Sequence, residues 1–566
     1  MDFSFLRPTT EPGLTLLVAL LVCVVAFVWP KGSERLLRTV ERPFSRFAAH
    51  RTLAVVTMFF AVLAVRLALL PLLQVPTPGI HDEFSYLLLG DTLAHGRLAN
   101  PPHPMWRSFE TFHVLWFPTY ASKYPPAQGA VLALGQLLGH PWIGVLLSAA
   151  AMCAAIVWML QAWMPARWAL LAGVLAAIKL CIVCYWINSY WGGAVAAFAG
   201  ALALGALARI PRRPALALGV LLGLGIAILA NSRPYEGLFF CLPVVFLLMR
   251  WFLGKTKYGR CWPQPALRVL LPVFSILLAT FLFMGYYNWR VTGSPFLPPL
   301  VAAAHTYDTP ANFIWQKPAP MIHYNNPEME SFYNEWGRNK YLRTWDTLES
   351  VFEEKLYRCR VVFTWPALLL LLPGLFFLHR DTHWRFLLVV LLAVLVAFFA
   401  TTWPNPHYLA PVTCIYFGVL VQALRHLRRI SFRKRPIGAA LSRAIVLLLV
   451  VDIAQFAATG AGDPMGWGGG GLRQRAEIQR QLGATPGKHL VIVNYSDSHS
   501  VHEEWVYNGA DIAGSKVVWA RDLGPEQNAK LVEFFKDRTA WIVEEGPETA
   551  PLTRYVEDSP GAPATP

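Results

Sequence analysis

The sequence predicts an all-α polytopic membrane protein of about twelve transmembrane helices, with large outer loops and a small C-terminal α/β domain. Three observations carry this. Only 15% of the 566 residues are charged and 55% are hydrophobic, whereas a soluble chain holds about a quarter charged residues. The apolar residues run in long blocks, such as 168–185 and 267–287, and a bilayer core takes about 20 such residues per helix. The basic residues crowd into short segments between these blocks, which is how cytoplasmic loops are marked.

Spans fall near 14–30, 53–74, 142–164, 168–187, 194–210, 215–230, 238–253, 267–287, 363–379, 386–402, 409–424 and 442–459. The run 13–29 has only Arg7 ahead of it and no small-residue cleavage site, so it reads as a retained helix and not a signal peptide. The basic segments 31–51, 209–213, 250–268, 379–385 and 425–435 orient the spans. Alternation then sets 75–141, 188–193, 231–237, 288–362, 403–408 and everything after 460 on the outer side. The apolar run 127–138 breaks this parity if it crosses, so it reads as a re-entrant, half-inserted or surface segment; the alternative is a tight outer loop at 209–213. The domain plan is an extra N-terminal helix with a basic loop (1–52), a transmembrane domain (53–460), a Gly-rich linker (461–484) and an α/β domain with a frayed tail (485–566). In the last, 488–495 and 516–519 read as strands and 527–537 as a helix.

The net charge of +15 lies in those loops, with no basic motif of a nucleic-acid reader, so nucleic acid is excluded as a partner. Cys181 and Cys184 sit in an apolar span with no second pair, and read as small buried hydrophobes.

Chemistry concentrates on the outer side. His81-Asp82-Glu83 follows the second span, and charge beside lipid is costly enough to need a reason. One reading is a cap for the helix that follows; the other is a carboxylate that takes a proton from a hydroxyl. The same side gathers Lys123-Tyr124-Pro125-Pro126, Asn188–Gly193 with Trp191, Asn231–Gly237 with Arg233 and Glu236, and Trp403–Tyr408 with His407. Aromatic rings suit sugar faces and lone cations suit phosphate. Each segment also has a plain structural reading, as a first helical turn, an interfacial anchor or a packing glycine.

An Asp-Glu opening an outer loop before a short aromatic and leucine helix, Tyr-Pro-Pro after that loop, and aromatic-His-Tyr before a late span together resemble the GT-C superfamily of glycosyltransferases. The likeness is to its protein O-mannosyltransferase, aminoarabinose-transferase and rhizobial lipopolysaccharide-transferase branch, and it covers roughly 50–425. The extra N-terminal span, the loop 288–362 and the tail after 460 match no motif of that branch. The resemblance implies a polyprenyl-phosphate-sugar donor, a glycan, lipid or protein acceptor, an inverting transfer, and a bacterial inner membrane with the site on the periplasmic side. It assigns Asp82, and secondarily Glu83, as the base. Chemistry, not the resemblance, nominates Lys123, Arg233 and His407 for the phosphate, with Lys355, Arg358 and Arg360 in reserve, and Tyr124, Trp191, Glu236 and Tyr408 as further substrate contacts. A divalent cation near Asp82 and Glu83 is the one cofactor considered, without a full set of hard-oxygen ligands, and no residue is assigned to a metal.

Two other functions fit the composition. A transporter or flippase needs ionisable groups at midplane, where the sequence offers mainly Arg66, Lys179 and Asp452. A scaffold would put its role in the tail after 460.

Overall fold

The computed structural model describes residues 34–253, 263–342, 344–363, 381–458, 470–496, 499–545 and 551–555, with short pieces between 20 and 29, 255 and 260, and 375 and 378. Most of the spans expected at 14–30 and 363–379 lies outside the described residues.

The chain is mostly helical. By length and composition, five helices can cross a membrane: α2 (Arg51–Ala68), α5 (Pro141–Leu160), α9 (Pro234–Leu253), the stretch 266–292 within α10 (Pro263–Thr292), and 406–427, which ends in α14 (Thr413–Leu427). Shorter apolar helices join them: α6 (Ala166–Leu180), α7 (Ala194–Arg209), α8 (Leu216–Ala230), α13 (Thr382–Ala400) and α15 (Ile437–Ala458). Ahead of them lies α1 (Glu34–Ala49), amphipathic and rich in arginine. Each sequence-predicted span in the described residues falls on one of these helices. Their outward faces carry exposed Phe, Leu and Val, for example Phe246, Phe274, Phe281 and Leu392, as lipid contact requires.

The run 127–138 is the helix α4 (Pro126–Leu137), which packs between α3 (His81–Ala94) and α5. At 12 residues it rises about 18 Å, short of the ~30 Å hydrocarbon core. Glycine permits the close contacts: a Cβ on Gly129 would lie 2.3 Å from Leu89 Cγ, and one on Gly135 2.4 Å from the Gly144 nitrogen. α4 thereby fixes α3, the helix that carries Asp82.

After α10 come α11 (Pro299–Tyr307), a turn at Pro327–Glu330, a π-helix at Ser331–Gly337 and α12 (Trp345–Val362). Beyond 470, α16 (Gly470–Ala484), β3 (Lys488–Tyr495), β4 (Val517–Arg521), α17 (Pro525–Phe534), β5 (Arg538–Glu545) and β6 (Thr553–Arg554) form an α/β unit; β1 (Val114–Leu115) and β2 (Ala121–Ser122) are a hairpin in the first outer loop. The four-stranded sheet has the order β4-β3-β5-β6, parallel except for the last pair. Both flanking strands cover β3, so its residues Leu490–Val493 are buried and continuously apolar. The helix α16 falls where a linker was expected: Leu472, Ile478 and Leu482 pack into the domain's core, a periodic face masked by the glycines before it. The strand β5 was not expected, because Arg538, Glu544 and Glu545 leave only a short apolar run between them.

This domain shares its core with the first outer loop. Phe84 and Leu88 of α3, with Phe109, Trp116 and Tyr120, pack against Trp505, Tyr507 and Trp519. Arg475 lies between Phe84 and Trp519, 4.8 and 4.6 Å from the ring centres, and donates to the carbonyls of Trp505 and Tyr507. Arg521 pairs with Glu504 within the domain and with Glu328 of the second outer loop. A buried pair of this kind fixes geometry more than it adds stability.

His103 sits at this junction among Phe109, Phe534 and Phe535, and burial pushes its imidazole down to about 4. The unfolded chain therefore binds this proton first as pH falls below about 6.5. Stability contributed by the neutral ring is complete above that pH and lost as pH falls toward 4. Thermal unfolding across this window should show a loss of about 1–2 kcal/mol, discounted for partial exposure, that His103→Leu removes.

Candidate active site

α3 starts at His81, after Ile80 in extended conformation, so Asp82 and Glu83 lie in its first turn. The two carboxylates then part. Glu83 turns inward, is buried, and accepts the Gly79 amide at 3.3 Å. Gly79 precedes the helix start, so this bond ties Glu83 to the loop ahead of α3 and does not cap the helix, which has no side-chain cap. Asp82 caps nothing. Its carboxylate accepts the Tyr124 hydroxyl, and its other oxygen lies 3.7 Å from His113 Nε2, with the side chain 18% exposed. Burial, and then the Asp82 charge, hold the Tyr124 hydroxyl well above its usual range. Tyr124 is thus a protonated donor near neutral pH.

His113 was not foreseen. Its backbone adopts φ 63°, a left-handed conformation that non-glycine residues seldom take. Its carbonyl accepts both the Ser85 hydroxyl at 2.7 Å and the Lys123 amide at 3.2 Å, which holds the strain and aims the imidazole at Asp82. Burial, then Lys123 and His81, keep His113 well below the usual imidazole range; burial likewise lowers His81. One ligand atom each from His81, Asp82 and His113 falls within 4.8 Å of the others, and the Nδ1 atoms of both rings are buried without a partner. Two neutral imidazoles and a carboxylate suit a zinc-like ion better than magnesium. The candidate ligands are therefore not the Asp82 and Glu83 pair the sequence suggested.

From Tyr124 the site continues through rings. Tyr124 stacks on Tyr86 at 4.2 Å, and Arg233 lies 4.9 Å from the Tyr408 ring centre. The charges of Asp82 and Arg233 act on both Tyr86 and Tyr408. The Tyr408 hydroxyl acts through space on Tyr341, Tyr341 lies tilted against Trp403 at 4.9 Å, and Trp403 meets Trp336 at 6.3 Å. Trp336 touches His502 of the C-terminal domain at 4.6 Å. His502 lies 5.9 Å from His81, and His81 5.2 Å from His113, which returns to Asp82. The residues thus form a closed ring drawn from both outer loops, the starts of two apolar helices and the C-terminal domain.

Exposure sorts the sequence-predicted residues within it. Asp82, Lys123, Tyr124, Arg233 and Tyr408 are partly buried. Among the described residues no carboxylate pairs with Arg233; Glu236 acts on it only through space. Trp191 and His407 are 2% and 1% exposed. His407 Nδ1 lies 2.8 Å from the Tyr185 hydroxyl, and its ring packs on Trp191 at 4.6 Å. These two form a layer behind Tyr408 and present no face to a ligand, contrary to the expectation that they contact substrate. Glu236 is buried in the first turn of α9, where the helix dipole favours a carboxylate. Lys355 is likewise spent: it donates to the carbonyls of Phe398, at 2.7 Å, and Thr401, closing the C-terminus of α13. Arg358 pairs with Glu354 at 2.6 Å; the Arg360 side chain lies outside the described residues.

A cavity of 540 Å³ lies between α3 and the C-terminal domain, lined by Phe84, Leu88, Asp91, Arg475 and Trp519. It borders the face of α3 opposite Asp82. Its polar groups satisfy one another: Asp91 accepts from Gln136 and from the Ala510 amide.

No protein-family model and no curated protein matches the chain. Among solved structures it is similar to the apo oligosaccharyltransferase of Archaeoglobus fulgidus, with 13% identity and a TM-score of 0.47 over 86% of this chain and 69% of that one. It is also similar to ArnT of Cupriavidus metallidurans bound to undecaprenyl phosphate, with 13% identity and a TM-score of 0.46 over 86% and 92%. Both are glycosyltransferases of the GT-C superfamily, the group whose motifs the sequence resembles. At that distance, a reaction must be argued from this chain's own residues.

Lys355→Met should lower stability by about 1–2 kcal/mol, since it takes the ammonium from the Thr401 carbonyl while that of Phe398 keeps the Thr401 hydroxyl, and leave the affinity for a polyprenyl phosphate unchanged. Thermal unfolding and lipid-binding titration of the same sample check both.

Proposed function

We propose that this chain is a multi-pass membrane glycosyltransferase that moves a sugar from a polyprenyl-phosphate donor to a hydroxyl on a glycan, lipid or protein. The reaction takes place on the outer face of a bacterial inner membrane, in one inverting displacement. One observation carries this reading: Asp82, a partly buried carboxylate with no lysine or arginine ion pair among the described residues, and Arg233, a partly buried arginine with no carboxylate ion pair among them, bracket the same two tyrosines.

Asp82 accepts the proton of the acceptor hydroxyl as that oxygen bonds to the anomeric carbon. The bond from that carbon to the phosphate oxygen breaks with its electron pair on the phosphate. Arg233 and Lys123 meet the charge that develops there. Tyr124 holds the carboxylate in line, and Glu83 supports the turn beneath it. Because the leaving group is already a stable phosphate ester, the protein's contribution is chiefly positioning and deprotonation. A divalent ion held by His81, Asp82 and His113 would supply positive charge beside the carboxylate.

Transport is less well supported. Arg66, the charged residue within a span that most invited it, donates to the carbonyls of Leu73 and Gln74 and to Asn188. It closes the end of α2 and presents no midplane binding group.

The test uses protein in proteoliposomes with a radiolabelled polyprenyl-phosphate sugar. Asp82→Asn should lower transfer by about 100-fold or more with the donor still bound. Arg233→Gln should weaken donor binding by about tenfold or more. Wild-type transfer by Asp82→Asn would refute the assignment.

A further inference from the structure

We propose that the cavity between α3 and the C-terminal domain holds an anionic phospholipid of the surrounding bilayer, with an acyl chain against α3 and the phosphate toward Arg475 and Lys516. The inference concerns the face of α3 opposite Asp82 and does not rest on the reaction assigned there.

The cavity has the size of a ligand site and reaches the surface. Its 540 Å³ falls within the ~300–1,000 Å³ usual for bound small molecules, and is several times the ~150 Å³ apolar cavity that takes up a benzene ring. Gln479 and Lys516 of its lining are exposed, and Leu87, Gln136 and Pro141 are partly so. Pro141 opens α5, a helix that can cross a membrane. Beside it, at the end of α4, Leu134, Leu137 and Leu138 are 50, 70 and 57% exposed. Leucines this open at the start of a span are covered by lipid, so the mouth of the cavity is continuous with a lipid-facing surface.

The lining is divided by element. α3 and α5 give it Phe84, Leu87, Leu88 and Pro141, an apolar wall. The polar groups on that side are already used, since Asp91 accepts from Gln136 and from the Ala510 amide. Both cations come from the C-terminal domain. Lys516 lies at the rim and donates to the Gly483 carbonyl at 2.6 Å, which uses one of the three N–H groups of an ammonium. Arg475 lies inside, and its bonds go to the neutral carbonyls of Trp505 and Tyr507 at 2.7 and 2.9 Å. Its hydrogen bonds are met but its charge is not: Glu504 acts on it only through space and is itself paired with Arg521. Burial accordingly pushes the guanidinium down to about 10, as for a cation short of counter-charge. A hydrocarbon alone would leave that charge as it is, and a neutral polar ligand would find no use for the leucines. An amphiphile with one anionic head meets both sides. Seated there, it touches α3 and the domain at once and joins the wall of the site to the helix that carries Asp82.

The test is photo-cross-linking of the full chain in phosphatidylcholine nanodiscs. Three probes, phosphatidylglycerol, phosphatidylcholine and palmitate, carry the same diazirine near the chain end and are added at equal mole fraction. Labelled residues are mapped by mass spectrometry. Phosphatidylglycerol should label the segments 84–91 and 507–519, which face each other across the cavity, at least about tenfold more than phosphatidylcholine does. Lys516→Gln should remove most of that preference, and Leu87→Trp, which fills the apolar wall, most of the label. Label on the exposed face of 266–292 reports ordinary lipid contact and should stay unchanged in both variants. Loss in either folded variant, with that label kept, supports the site. The proposal falls if 507–519 is not labelled, if phosphatidylcholine labels it equally, or if palmitate labels it more than phosphatidylglycerol. It also falls if both variants, folded by thermal unfolding, label as wild type does.

Discussion

The hydrogen bond from Tyr124 to Asp82 is the constraint on which the rest of the site depends. A carboxylate at a membrane boundary ordinarily finds a cation, caps a helix or gives up its charge. Here the neighbouring residue, Glu83, accepts the Gly79 amide, and among the described residues the one ionisable basic group within 4 Å of the Asp82 carboxylate is His113. Asp82 is left partly exposed and aimed by a donor whose own proton is held well above the usual phenol range. The donor is held by its stack on Tyr86, and Tyr86 rises from α3 one turn after Asp82. The pair is thus closed through a single helix and the loop that returns to it.

The fold holds this geometry through the layers behind it. Gly129 and Gly135 let α4 lie close against α3 and α5, so the helix bearing Asp82 cannot tilt without disturbing a span. The C-terminal domain grips the opposite face of α3 through Arg475, Phe84 and Trp519. It also reaches over the site with Val501, whose carbonyl lies 3.0 Å from His81 Nε2. The domain is therefore a wall of the site and not an appendage on a linker. The Arg521 pairs to Glu504 and Glu328 tie it to the second outer loop at the same level.

Much of the architecture was legible because hydropathy and the placement of arginine are physical requirements of a bilayer. The helices between 51 and 292, and the strand at 488–495, fall where those patterns set them. The sequence also named Asp82, Lys123, Tyr124, Arg233 and Tyr408 as polar and aromatic residues in loops between apolar blocks, and the fold brings Asp82 to Tyr124 and Arg233 to Tyr408. What stayed hidden depends on direction. Nothing in the sequence tells that His407 turns into the core and Tyr408 out of it, or that Lys355 closes a helix formed far along the chain. His113 was hidden for another reason: its importance lies in a left-handed backbone and in Asp82, brought to it across the fold. Trp336 and His502 meet only because the C-terminal domain docks, which no local pattern encodes.

The reaction centre set between Asp82 and Arg233 is most directly tested by a cryo-EM map of the full chain in nanodiscs with a polyprenyl phosphate. The account predicts phosphate density in contact with Arg233 and on the same side of Tyr86 as Asp82. Phosphate density resting instead on the basic segments at 209–213 or 425–435, with the ring around Asp82 unchanged, would contradict it.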